Sequence, residues 1–447
     1  MSRNRWLVIV MLMGYAALGH FNRVGITVAG DEIFIPKIGI PETRMGWVYT
    51  AFLIVYTLGM LPGGWLIDRI GPARALSLFG ITMGAFVVLT GVVGWITTDP
   101  VGLWVGLLVI RGLAGVCNAP LHPGAARVVS DVMPPQRRAT ANGLITAGAL
   151  IGISICFPGL GWLMDTLSWQ WAFVTGGTLL MGYGVFWHLV ATPQLSSSTT
   201  TSNAATDSSQ DASESGPSAD VRPNLAALFG NNTLRLLTLS YAAYGYFQYL
   251  FFYWLGYYFK EILEIPKLEA RWATTWIMLT MGLGMAVGGR LTDVACNRFG
   301  IAIGRRTIVI TGMGLGAVLG LAGVGSTWII AQFPVLGLQG QSFLVTSICL
   351  ALSMAAVGMC EGVFWTTATD IGGRSGGTAG AFMNTGGNIG GLMAPVLTPY
   401  VAEELGWTVA IGLACVISAV GGLIWLLITP PTTDTTDPRE ITPARSR

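Results

Sequence analysis

Two arginines lie deep inside apolar runs, where a charge is costly. Arg111 falls about ten residues into the run 101–130, roughly 15 Å along a helix, too far from either end to stretch its guanidinium into water. A charge held there in hydrocarbon costs several kcal/mol and normally faces a water-filled cavity or a partner. Asn118 at i+7 and His122 at i+11 predict one polar stripe on that helix, with Gly115 between them. The alternative is structural, an arginine bonded to backbone carbonyls and to those neighbours. Arg23 stands 17 residues beyond Trp6, about 26 Å along a helix, either deep in its run or close enough to the end to snorkel. Two such arginines without a lysine suit a planar carboxylate, which a guanidinium fork holds by parallel hydrogen bonds.

Glu361 is the acidic group this reading places deep in a run, since Asp131 and Asp370 fall near run ends, and it becomes the candidate for a coupling H+ or Na+. A structural Glu bonded to backbone or tyrosine hydroxyls is the alternative. In the run 233–259, Tyr241, Tyr244 and Gln248 share one helical face, and Tyr246, Tyr249, Tyr253 and Tyr257 share another. Such a face can hydrogen-bond and stack a hydroxylated solute, or simply pack. His20 and His122 read as polar packing groups, because a neutral imidazole is satisfied by one donor and one acceptor.

The elements that must position these groups follow from composition. Of 447 residues 52% are hydrophobic and 10% charged, against about 25% charged in a soluble domain. The mean hydropathy of +0.62, with 61 Gly and 16 Trp, predicts a polytopic helical membrane protein. No phosphate loop, metal-ligand cluster or nucleophile elbow is present, so neither an enzyme nor a resident cofactor is expected. A net charge of +2 without a basic block excludes a nucleic-acid partner. The six Cys lack paired short spacings and read as reduced packing residues.

Twelve apolar runs of membrane-crossing length appear, near 6–30, 45–67, 74–96, 101–130, 139–164, 169–191, 233–259, 270–294, 306–331, 341–369, 375–401 and 406–429. The first has no small-residue cleavage site after it and reads as a retained span. The Ser/Thr/Asp-rich stretch after the sixth predicts residues 1–194 as one six-helix bundle, 195–223 as a disordered cytoplasmic linker, 224–430 as a second bundle and 431–447 as a cytoplasmic tail. With the N-terminus inside, 17 of the 24 Lys and Arg fall on the cytoplasmic side and five outside, so both termini are expected in the cytoplasm.

The halves also repeat. Gly63 to Arg74 reads Gly-Gly-Trp-Leu-Ile-Asp-Arg-Ile-Gly-Pro-Ala-Arg after the second run, and Gly288 to Asp293 reads Gly-Gly-Arg-Leu-Thr-Asp after the eighth. Asp68 with Arg69 and Arg74, and Asp293 with Arg298, would form conformational latches that close in one state and break in another. Twelve runs, the central linker and these paired loops closely resemble the major facilitator superfamily over essentially the whole chain. Within it, several segments resemble the anion:cation symporter branch, which includes hexuronate, galactonate and glucarate transporters and sialic acid, phosphate and glutamate carriers. They are Phe21-Asn22-Arg23, Pro62-Gly63-Gly64, Arg111 to Gly115 with Ala119-Pro120 and Pro123-Gly124, and Asn384-Thr385-Gly386-Gly387-Asn388.

That resemblance implies an all-α fold of 12 transmembrane helices in two pseudo-symmetric six-helix bundles, in a cytoplasmic (inner) membrane. It implies a monomer that moves a small anionic solute, a sugar acid or related carboxylate, by alternating access. Arg23 would then bind the substrate carboxylate, with Arg111, Tyr49, Tyr56, Asn22 and Asn118 beside it. Trp365, Thr366, Asn384 and Asn388 would complete a neutral C-terminal wall with Tyr244 and Gln248. The chain departs from the branch where proton-coupled members usually carry acids: Asn22 stands before the first arginine and Asn118 follows the second by seven. Amides do not titrate, which leaves Glu361 for ion coupling. Ala149 stands where sugar-acid carriers often have Gln. A drug/H+ antiporter, a phosphate-ester exchanger, an uncoupled uniporter and a transport-dead receptor are the other readings.

Overall fold

The computed structural model describes residues 2–119, 121–133, 135–206, 230–332, 340–372 and 376–429. They form twelve helical rods in the order of the twelve apolar runs. The first six are Ser2–Ala29, Glu42–Ile70, Pro72–Ile96, the pair Pro100–Asn118 and Leu121–Val132, Pro135–Thr166, and Trp169–Thr206. The second six are Asn232–Tyr257, Lys267–Phe299, the pair Ile301–Val324 and Ser326–Gln332, the pair Ser342–Gly358 and Glu361–Gly372, Gly376–Leu405, and Trp407–Leu423. Eight of the described rods are long and apolar enough to cross a membrane by length and composition alone. The other four, the second, seventh, eighth and eleventh, all meet the opposite half of the molecule. The sixth helix continues past position 195, where the linker was expected to start, and 207–229 lie outside the described residues.

The packing is pseudo-symmetric. In the N-terminal half the first rod packs on the fifth, the second on the fourth and the third on the sixth. In the other half the seventh packs on the eleventh, the eighth on the tenth and the ninth on the twelfth. The halves meet through two equivalent pairs, second with eleventh and fifth with eighth. Local backbone repeats with them. The first and seventh rods both end in a rare π turn, Gly30–Phe34 and Tyr258–Ile262. The tenth is interrupted in mid-course between Gly358 and Glu361, and the described helical segments of the fourth end at Asn118 and resume at Leu121.

Glycine sets the tight corners. Gly71 and Gly300, at φ +84° and +81°, join the second rod to the third and the eighth to the ninth, a left-handed conformation in which a Cβ is strained. Gly46 lets the second rod's backbone lie directly against Pro395 of the eleventh, where a Cβ would collide with the Pro395 carbonyl. Between the third and fourth rods, Asp99 caps the fourth by accepting the Gly102 N–H at 2.6 Å, and it accepts the Thr97 hydroxyl at 2.7 Å. These bonds hold its carboxyl below the usual range.

Candidate functional site

Counting along the rods divides the molecule into an end that carries the chain termini and a distal end that carries the π turns. A cavity of about 690 Å³ lies between the halves, lined chiefly by residues from the middle and the terminus-bearing parts of their rods. Tyr56 and Met60 of the second rod and His122 and Ala126 of the fourth form one wall. Tyr241, Tyr244, Gln248 and Tyr249 of the seventh, Glu361 and Trp365 of the tenth, and Asn384 and Asn388 of the eleventh form the other. Seven residues expected from the sequence therefore converge on one space: Tyr56, Tyr244, Gln248, Trp365, Asn384, Asn388 and Glu361.

Arg23 borders that space. Its guanidinium donates to the Tyr249 hydroxyl at 3.2 Å and lies 5.1 Å from the Tyr56 ring and 5.3 Å from the Phe52 ring. It does not snorkel along the first rod, because cation–π contacts and a hydroxyl hold it between the halves. Arg111 is placed differently. Its side chain is 1% exposed and donates Nη2 to the Arg23 carbonyl at 2.5 Å and Nη1 to the Asn22 carbonyl at 3.5 Å, with Phe52 5.1 Å from its ζ carbon. This is the carbonyl-bonded arrangement, and it fixes the turn of the first rod that carries Arg23. The Arg111 Nε has no hydrogen-bond partner. Among the described residues no carboxylate pairs with either arginine, so the N-terminal wall keeps its positive charge.

The expected stripe along the fourth rod is broken. Asn118 lines a small void beside Tyr15 and Gly19, whereas His122 lines the central cavity. Asn22 is buried and donates to the Leu18 carbonyl at 2.9 Å. Tyr49 is buried and stacks on Tyr253 with centroids 4.9 Å apart, on the distal side of the cavity. Thr366 is exposed and returns its hydroxyl to the Gly362 carbonyl at 2.9 Å.

On the C-terminal wall Glu361 opens the second segment of the interrupted tenth rod. Its Oε1 accepts from Tyr241 at 2.9 Å and Trp365 at 2.8 Å, while Oε2 and the Tyr244 hydroxyl that faces the carboxylate are buried without a well-aligned hydrogen bond. The carboxylate is thus oriented on one side and only loosely met by Tyr244 on the other, where a proton or small cation would satisfy it. The Gln248 and Asn388 amides meet only sulfur, Met281 at 3.6 Å and Met60 at 3.9 Å, which leaves most of their hydrogen-bonding capacity to the cavity.

Glu361 is not the deepest-buried acid. Asp31 and Glu32, in the first rod's π turn, are 3% and 4% exposed. Glu32 binds Arg271 through two bonds of 2.7 Å, Asp165 adds a third at 2.7 Å, and Lys267 bridges Glu32 at 3.2 Å and Asp165. Lys260 donates to the Asp31 carbonyl at 3.1 Å, and Tyr257 donates to Glu42. Lys260, Lys267 and Arg271, three of the five positive charges that the sequence count puts outside, instead join the two halves and close the distal end. Their signal was present as opposite charges at the ends of rods one, five and eight, but pairing across halves is not visible in a linear count. At the other end Arg69, Arg74, Asp293 and Arg298 are exposed, and the Asp68 side chain lies outside the described residues.

Sequence comparisons bear on the family and structural comparisons on the fold. The model of the Major Facilitator Superfamily matches residues 8–371 and again 237–446. The chain is 26% identical to the D-galactonate transporter of Escherichia coli O6:H1 over 96% of each chain. It is 25% identical to a probable galactarate/D-glucarate transporter of Bacillus subtilis, over 90% of this chain and 86% of that one. With a probable sulfoacetate transporter of Cupriavidus necator it shares 26% over 96% and 94%. Among solved structures, a bacterial homolog of the human lysosomal transporter Spinster, inward-facing and unoccupied, superposes with a TM-score of 0.71 at 16% identity, covering 95% and 96% of the two chains. A D-xylose-proton symporter gives 0.70 at 13%, covering 96% and 99%.

Proposed function

The chain belongs to the Major Facilitator Superfamily, and on that premise we propose that it carries small organic anions, sugar acids or related carboxylates and sulfonates, across a cytoplasmic membrane by alternating access. The observation that carries this reading is the uncompensated guanidinium of Arg23 at the cavity margin, with Arg111 behind it and no carboxylate on either. Burying two unpaired charges is expensive, and an anionic solute entering the cavity offsets that cost. Tyr56, Tyr249, Gln248, Asn384 and Asn388 offer hydroxyls and amides to the rest of such a solute. The names of the relatives point to the same class.

The charge bias of the loops puts the terminus-bearing end in the cytoplasm, so this conformer is inward-facing, with its outer gate closed by Arg271 and Glu32. Asp68, Arg69, Arg74, Asp293 and Arg298 then belong to an inner latch that closes when the outer gate opens. Glu361 is the coupling group, exchanging H+ or Na+ through its loosely met Oε2, and the protein works as a monomer.

Uptake of D-galactonate, D-glucarate and sulfoacetate into proteoliposomes tests the reading. Uptake that is abolished by Arg23→Gln supports it. Transport of cationic drugs without any of these anions would replace it with the antiporter reading.

A further inference from the structure

The second helical segments of the fourth and tenth rods, Leu121–Val132 and Glu361–Gly372, each open with a titratable side chain in the same cavity. In the tenth rod it is Glu361, and in the fourth it is His122. His122 does not stand alone. Its Nε2 lies 3.4 Å from Nε2 of His20 on the first rod, with ring centroids 5.1 Å apart at 62°. The Nδ1 of His20 lies 3.0 Å from the Ala16 carbonyl, which can only accept, so Nδ1 carries the proton. In the neutral pair the His20 Nε2 is therefore the acceptor and the His122 Nε2–H the donor. That assignment leaves Nδ1 of a cavity-lining ring as a free base. A proton from cavity water can add there without breaking either existing hydrogen bond.

We propose that the His20–His122 pair is a proton-binding site linked to the anion site of Arg23, taking up one proton from the cavity when an anion binds. This rests on the anion-transport reading above. Arg23 lies three residues from His20, one turn along the same rod. Other titratable groups around the pair are Tyr15 on the first rod, Tyr56 on the second, Cys117 on the fourth, Cys156 on the fifth and, across the cavity, Tyr241, Tyr244, Tyr249 and Glu361. The third rod meets the adjoining void with Phe79 and Met83 and the sixth with Leu180, all apolar. Of these neighbours Arg23 supplies the nearby positive charge. It repels an added proton until an anion neutralises it. Anion and proton consequently favour each other's binding, and the linkage is reciprocal. Asn22 and Asn118, which cannot titrate, leave the imidazoles as the proton acceptors on this side of the cavity.

Proton uptake on binding is read by titration calorimetry of the purified full chain in buffers of different ionisation enthalpy, with D-galactonate, D-glucarate and sulfoacetate as probes. Wild type should take up one proton more per bound anion than His122→Gln. Its dissociation constant should rise tenfold per pH unit more steeply over the range where the pair titrates. At alkaline pH, where the pair is neutral, the two proteins should bind equally. The same decrement is expected in the Glu361→Gln background, which separates the pair from the carboxylate. Should His122→Gln fail to fold, His122→Asn removes the same Nδ1 base with a smaller amide and must lower the count likewise. An unchanged proton count in a folded variant overturns the proposal, as does loss of the anion at every pH, which would make the imidazole a direct ligand. If none of the three probes binds wild type at any pH, the anion reading itself falls and takes this inference with it.

Discussion

At the scale of single residues, the two arginines divide one task. Arg23 borders the cavity and spends one hydrogen bond on Tyr249, whereas Arg111 spends its donors on the backbone that carries Arg23. Arg23→Gln should keep the fold, since a single neutral-partner bond contributes about 1 kcal/mol. It should weaken anion binding about 100-fold, the scale of a lost charge-assisted pair of bonds; equal affinity in thermal-shift titrations removes Arg23 from the site. Arg111→Lys should fail in uptake almost as completely as Arg111→Gln, because an ammonium cannot span both carbonyls and lie across Phe52. Normal uptake by the lysine variant, measured in proteoliposomes, would show that charge alone suffices. For Glu361→Gln the expected result is loss of uphill accumulation with counterflow preserved, since counterflow needs alternating access but no net ion movement. An accumulating variant takes the coupling role away from Glu361.

At the scale of elements, the conformer is set by what joins the rods. The Arg271 guanidinium, 6% exposed, ties the eighth rod to the end of the first through Glu32 and to the end of the fifth through Asp165. Removing one partner of a buried pair costs about 3 kcal/mol, which is about a hundredfold in the ratio of two conformers. Arg271→Met should therefore shift the molecule toward the outward-open state, and paired spin labels on the distal ends of the first and eighth rods should report longer distances. Asp68→Asn should do the reverse if the inner latch holds the outward-open state, leaving the distal distances short. A distribution that responds to neither substitution would mean that these charges do not set the conformational balance. The Gly71 and Gly300 corners make a separate demand, because alanine at their positive φ and extended ψ costs about 1–3 kcal/mol.

At the scale of the whole molecule, two bundles related by a pseudo-twofold axis enclose one chamber with unlike walls. The N-terminal wall has the Arg23 guanidinium at its margin with Arg111 buried behind it, and the C-terminal wall is aromatic, amide-bearing and acidic only at Glu361. A chamber closed distally favours ligands that arrive from the terminus-bearing side, so purified protein should be stabilised by them without a gradient. A ligand at 100 times its dissociation constant adds about 2.7 kcal/mol to the native state. A melting temperature that stays constant across sugar acids and sulfonates would argue for a different class of solute.

The sequence by itself determined the twelve rods, their division six and six, and the charged positions, because spans are selected by local hydropathy and length. It also marked Arg23, Tyr56, Tyr244, Gln248, Glu361, Trp365, Asn384 and Asn388, all of which the fold brings to or beside one cavity. What it left open were the contacts between rods. The turning of Arg111 onto the first rod, the burial of Asp31 and Glu32, the ion pairs of Arg271 and Lys267, and the meeting of His20 with His122 each join side chains from different rods. Which polar groups face each other is decided only when the helices pack. A buried charge then takes whatever partner the neighbouring helix presents, and no local pattern along the chain encodes that choice.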